Sequence, residues 1–112
     1  MGKEFGKFDA VVSLDVIEHI YPEFEDKYFE TIMMNLHKDG IGIVGTPNIT
    51  ASPYASKASE IGHVNLYDGM RLKQVMEKYF KSVFLFGIND EVMHLGYYKM
   101  AHYIFVLGCG SK

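Results

Sequence analysis

Residues 8–20, FDAVVSLDVIEHI, constrain the fold more than any other part of this 112-residue sequence. The first half of the segment, through Leu14, is a short apolar run with β-branched residues. A run that is apolar at nearly every position is typical of a strand buried on both faces, as in a parallel sheet. The second half is polar and carries Asp15, Glu18 and His19. Because α/β folds bind ligands at the carboxyl ends of parallel strands, the segment predicts a strand followed by a binding site.

Length and composition fit one small globular domain, with 48% hydrophobic and 22% charged residues. The net charge is −3 and the basic residues are scattered. This argues against binding along a nucleic acid or at an anionic membrane. It does not exclude the terminal hydroxyl of a nucleic acid as a substrate. A single cysteine, Cys109, excludes an internal disulfide and suits a reducing compartment. With no signal-like or membrane-length apolar segment, we expect a soluble, cytoplasmic protein.

Strand and helix patterns alternate along the chain. Pro22 suits the first turn of a helix that we expect to end before Gly40, and Asp68 suits the cap of a second helix. The turn-rich residues 87–96 are expected to join the last two strands as an antiparallel pair. The predicted strands are 8–14, 41–45, 82–86 and 99–107, and the predicted helices are 22–37 and 68–80.

These elements divide the chain into a polar lead, residues 1–7, a folded region, 8–109, and a short tail, 110–112. We expect the lead to be disordered. Residues 46–67 are predicted to be a long irregular loop. Loops longer than about 12–15 residues in compact domains are usually functional or mobile, so we expect this one to cover a substrate cleft.

Three motifs resemble class I S-adenosylmethionine-dependent methyltransferases. The 8–20 segment is similar to that family's fourth strand and the turn after it. The motifs GTPN at 45–48 and HVNLY at 63–67 follow in the family's order and spacing. The resemblance covers roughly residues 7–109 and corresponds to the carboxyl half of the family's domain. It implies an α/β fold, the β-α-β-α-β-β half of a Rossmann-like sheet with helices packed on it, in which the last strand is antiparallel.

The resemblance also implies roles for residues near the first strand. Leu14, Asp15 and Val16 would lie against the methionine part of S-adenosylmethionine. Glu18, His19 and His63 would line the substrate cleft as catalytic residues, and the methyl acceptor would be a small molecule or a terminal hydroxyl. For His63 the alternative is a loop histidine that caps a backbone group. Tyr103, in the predicted last strand, is expected to pack rather than bind.

The D-x-x-E-H spacing of Asp15, Glu18 and His19 suggests a further possibility. If a helical turn starts at Asp15, positions i, i+3 and i+4 share one face. Two carboxylates and an imidazole suit a divalent metal such as Mg²⁺, Mn²⁺, Fe²⁺ or Zn²⁺, with His63 as a fourth ligand. This pattern resembles the metal site of small-RNA 3′-terminal methyltransferases and of some quinone-biosynthesis O-methyltransferases, although here Asp15 replaces the usual glutamate. The alternative is that Glu18 and His19 line the cleft without a metal.

The family's glycine-rich cofactor turn and its ribose-binding acidic residue have no counterpart in these residues. We therefore expect the chain by itself to bind S-adenosylmethionine weakly or not at all, and to be inactive. The first strand would have an open edge, so we expect self-association through this edge, or pairing with an amino-terminal half on another chain. Two functions follow: part of a catalytic methyltransferase, or a non-catalytic methyltransferase-like interaction module.

Overall fold

The computed structural model describes residues 1–48, 64, 65, 67–89, 92–95, 101 and 103–112. These residues form an α/β domain in which two helices pack on a five-stranded mixed sheet. The α/β class predicted from the sequence is therefore confirmed. The helices are α1 (Glu25–Met34) and α2 (Gly69–Met76), and the strands are β1 (Phe8–Leu14), β2 (Leu36–Pro47), β3 (Phe80–Asn89), β4 (Val92–His94) and β5 (Tyr103–Ser111).

The strands are arranged in the order β1-β2-β5-β3-β4. β1 and β2 are parallel, while β5 lies antiparallel between β2 and β3. The predicted parallel unit and the predicted antiparallel pairing of the last two long strands are both confirmed. The short strand β4 was not predicted, because it falls inside the turn-rich segment 87–96, where it pairs with the end of β3.

The hydrophobic core lies between the sheet and the two helices. On the sheet side it contains Val44, Ile104 and Val106, which alternate along β2 and β5 and are fully buried. α1 and α2 cover this same side of the sheet. Their contribution is a set of buried apolar side chains at helical spacing: Tyr28, Phe29 and Ile32 from α1, and Leu72, Val75 and Met76 from α2.

No helix in the described part of the chain covers the opposite side of the sheet, which is apolar and which we call the open face. Its side chains are exposed or half-buried, whereas β1 was predicted to be buried on both faces. That prediction is wrong because both described helices pack on one side, so that Val12 is 57% exposed. The open face comprises Phe8, Ala10, Val12 and Leu14 of β1, Ile41 and Ile43 of β2, Phe84 and Phe86 of β3, and Phe105 and Leu107 of β5.

The first helix ends earlier than predicted. It is preceded by a 3₁₀ turn from Pro22 and stops at Met34, so the prediction that it continues to residue 37 is wrong. Asn35 stops it because its side-chain amide donates to the carbonyls of Thr31 and Lys3. The chain then enters β2 at Leu36. Gly40 permits close packing within that strand, since a Cβ there would lie 2.6 Å from a Leu36 methyl.

The second helix also ends before the predicted boundary. Asp68 caps it as expected, accepting a hydrogen bond from the Arg71 N–H at 2.7 Å. The helix stops at Met76, and Phe80 begins β3 instead of ending the helix. The Phe80 ring lies against Gly42 and Gly108, where an added Cβ would come within 2.5 Å of it. These glycines therefore admit an aromatic ring beneath α2.

The lead is bound to α1 rather than disordered. The Gly2 N–H donates to Thr31 Oγ1 at 2.7 Å, and the Lys7 ammonium donates to the Met34 carbonyl at 2.7 Å. Most of the predicted loop, including residues 49–63, lies outside the described residues. Neither helix in the described part of the chain is long and apolar enough to cross a membrane.

Candidate functional site

The turn after β1 has an unusual backbone conformation. Asp15 adopts a left-handed conformation with φ of 57°, which most residues with a Cβ avoid on steric grounds and which aspartate enters more often than most. Its N–H donates to the Gly45 carbonyl on β2 at 3.0 Å, and a 3₁₀ turn from Ile17 to His19 follows. Such strained residues cluster at binding and catalytic sites. The turn that was predicted to carry the site is thus held in a specific shape by β2.

Glu18 is the central buried group of this turn, with only 1% of its surface exposed. Its carboxyl accepts a hydrogen bond of 2.9 Å from Thr46 Oγ1, which lies at the carboxyl end of β2. Its carbonyl accepts from the N–H groups of Val64 and Asn65 at 2.8 and 3.0 Å. Glu18 therefore joins three segments, namely the β1 turn, the end of β2 and the chain that leads into α2.

His19 lies at the solvent side of the same turn. Its Nε2 atom is 3.7 Å from Glu18 Oε1, and its side chain is 46% exposed. A buried carboxyl thus lies beside an imidazole that is open to solvent. An imidazole in such a position can exchange a proton with a ligand bound at the turn.

Tyr103 brings the last strand to the site, although the sequence indicated only a packing role. Burial first, and then a hydrogen bond to Asp15, raises the pKa of Tyr103. Gly45 makes this contact possible, because a Cβ there would lie 2.8 Å from both Tyr103 and Leu14. The tyrosine therefore stays a neutral hydroxyl beside the Asp15 carboxyl at neutral pH.

A polar network fastens the segment before α2 to the start of α1. The Tyr67 hydroxyl bonds Glu25, and the Asn65 amide donates to the same hydroxyl at 2.9 Å. Arg71 donates to Asn65 Oδ1 at 2.9 Å and to Glu25 at 3.3 Å, with its guanidinium 4.1 Å from the Tyr67 ring centroid. Burial, followed by the neighbouring Glu25, raises the pKa of Tyr67. Because the Asn65 N–H also donates to the Glu18 carbonyl, this network links the turn after β1 to the start of α1.

Sequence reasoning did not find this network. Glu25 lies in the first turn of the helix that the sequence predicts, and its partners lie about 40 positions further along the chain. The HVNLY motif contains Asn65 and Tyr67 and was the available signal. No periodicity or spacing rule connects that motif to α1.

The structure brings together most, but not all, of the predicted site. Leu14 and Val16, predicted to border a cofactor, are exposed on either side of Asp15. Within the part of the chain that the structure describes, no three His, Cys, Asp or Glu side chains are grouped closely enough to hold a metal ion. The described donors thus do not fit the metal site suggested by the D-x-x-E-H spacing. His63 lies outside the described residues.

Comparison with known proteins adds no family assignment. Neither the models of known protein families nor the curated proteins yield a match to this sequence.

Proposed function

We propose that this chain contributes the acceptor side of an S-adenosylmethionine-dependent methyltransferase, which transfers a methyl group to a small-molecule or terminal hydroxyl. The observation that carries the proposal is the turn after β1, where buried Glu18 faces the half-exposed His19. Further support comes from the topology: the turn lies at the carboxyl end of a strand parallel to its neighbour, and the last strand is antiparallel.

The residues around Asp15 fit the positively charged end of such a cofactor. The bound cofactor would supply an electrophilic methyl group on a sulfonium. Asp15 offers a carboxylate that attracts positive charge. Leu14 and Val16 offer exposed apolar surface on both sides of it, which suits the methionine chain and keeps water away from the sulfur.

Glu18 and His19 would act on the acceptor. A hydroxyl becomes a better nucleophile when a base takes its proton, and His19, which is half-exposed beside Glu18, is the base that this turn offers to an acceptor. With the cofactor bound, its methyl group would pass to the acceptor oxygen as the carbon–sulfur bond breaks, and His19 would take the proton of the acceptor hydroxyl. Holding the two reactants in line supplies much of the acceleration.

The residues that bind the adenosine part are not among these 112, since the family's glycine-rich turn and ribose-binding acid have no counterpart here. In this proposal another polypeptide segment supplies them. The chain alone would then bind the cofactor only through its methionine end, and therefore weakly.

Titration of the isotopically labelled chain with S-adenosylmethionine and S-adenosylhomocysteine, followed by amide NMR, tests this. The two ligands differ by the methyl group and the positive charge. We expect saturable shifts at residues 14–19 and tighter binding of the sulfonium compound, by roughly fivefold or more for a charge pair near the surface. Asp15→Asn should bring that ratio close to one, whereas Asp39→Asn, at an exposed position on β2, should preserve it. Absence of shifts at this turn would refute the proposal, as would equal binding of both ligands.

A second candidate function is a non-catalytic, methyltransferase-like interaction module. The uncovered apolar side of the sheet favours it, because monomeric domains rarely leave such a surface in water. This candidate predicts binding of a protein partner with no response of residues 14–19 to either cofactor form.

A further inference from the structure

The open face is continuous across four strands. The strand register places Val12, Ile43, Leu107 and Phe84 in one row from β1 to β3. The outer members of this row are the most exposed, at 57% for Val12 and 49% for Phe84. The row therefore forms a flat apolar strip that runs perpendicular to the strands.

The apolar area of the open face is about three quarters of what one protein contributes to a standard interface. Large side chains have about 150–250 Å² each to bury, so the exposed fractions on this face leave roughly 600 Å² of apolar surface. That value is at the upper end of the largest patch on a typical monomer, about 300–600 Å². A standard interface buries about 800 Å² on each partner. The apolar area of this face approaches that value, and the polar residues around the face would add to it.

The chemistry of the face indicates which partner fits. The ten side chains that define the open face are all apolar, so a partner that depends on charge pairing for specificity would find nothing among them to pair with. A second copy of the same face meets no like charge and is self-complementary about a two-fold axis. Two apolar sheet faces can pack with their side chains interdigitated at about 10 Å separation.

We propose that two copies of this chain associate through the open face, sheet against sheet, as a two-fold symmetric dimer. This arrangement differs from pairing through the β1 edge, which would extend the sheet sideways and leave the open face in water. It does not depend on the methyltransferase proposal, because the cofactor experiment reads residues 14–19 and their ligands.

Sedimentation equilibrium across a range of concentrations tests the dimer. We expect the mass to rise from that of the 12.8 kDa chain to twice that value. Phe84→Asp should weaken the association at least about 100-fold, since the two-fold axis would bury an unpaired charge from each copy. Phe84 is three strands away from the β1 edge, so association through that edge would survive this substitution.

Two further variants keep the result interpretable. Val12→Asp, at the other end of the row, should also give a monomer. Met70→Asp changes a side chain of similar exposure, 45%, on the helical side of the domain, and should leave the dimer intact. Circular dichroism and the unfolding midpoint establish that each variant is folded. A wild-type chain that stays monomeric at several hundred micromolar overturns the proposal, as does a dimer that resists both face substitutions or is broken equally by Met70→Asp.

Discussion

Replacing Thr46 with valine tests whether the β1 turn depends on the hydrogen bond between Thr46 and Glu18. Valine has nearly the shape of threonine but cannot donate a hydrogen bond. Both Thr46 and the Glu18 side chain are buried, and 2.9 Å separates the hydroxyl from the carboxyl oxygen. The substitution therefore removes the donor from a carboxyl that water cannot reach.

A buried polar group that loses its partner costs about 1–3 kcal/mol. Urea unfolding followed by circular dichroism measures this directly. With a slope of about 1–3 kcal/mol per molar for small proteins, we expect the midpoint of Thr46→Val to fall by roughly 1 M. Thr46→Ser keeps the hydroxyl and loses one buried methyl, which should cost about 1 kcal/mol.

A double-mutant cycle assigns the loss to the pair. Glu18→Leu removes the side-chain acceptor, so combining it with Thr46→Val measures the coupling between the two groups. We expect a coupling of about 1 kcal/mol or more. A valine variant as stable as the wild type would refute the reasoning, and so would a serine variant destabilised as much as the valine variant.

Three further perturbations should each lower the free energy of unfolding. Burial raises the pKa of Tyr28 to about 12 from 10.0, so above pH 10 the unfolded chain ionises first. The free energy of unfolding should thus fall by about 2 kcal/mol between pH 10 and 12 from this group, and Tyr28→Phe should lose that part of the pH dependence in alkaline urea titrations. Asp68→Ala removes the cap of α2 and should cost about 0.5–2 kcal/mol, with Asp68→Asn retaining most of the stability. Gly108→Ala places a Cβ 2.4 Å from Phe80 and should cost about 1–3 kcal/mol, less when Phe80 is first replaced by alanine.

The sequence predicted the elements whose signals are local. The β1 run matched its strand from Phe8 to Leu14, and Asp68 capped α2 as its side chain favours. Boundaries set by tertiary contacts were missed. Gly40 resembled a helix stop, but the helix ends at Met34. It ends there because the Asn35 side chain bonds the lead and because Leu36, the first residue of β2, is buried in the core.

In the candidate site, too, local features were predicted from the sequence and tertiary contacts were missed. The polar turn after β1 was recognisable from its sequence, and Glu18 and His19 do lie together there. The contact of Tyr103 with Asp15 depends on β5 inserting next to β2, and on Gly45 leaving space for the ring. Strand order is a property of the whole chain, so no local pattern could have predicted that contact.

Intermolecular NOEs from S-adenosylmethionine labelled with ¹³C at its transferable methyl test the central claim most directly. The methyl group should lie beside the turn after β1 if this chain forms the acceptor side of a methyltransferase. We predict saturable NOEs from that methyl to the side-chain methyls of Leu14 and Val16, and their weakening in Asp15→Asn. NOEs from the bound methyl to residues elsewhere in the fold, with none to these two side chains, would contradict the account.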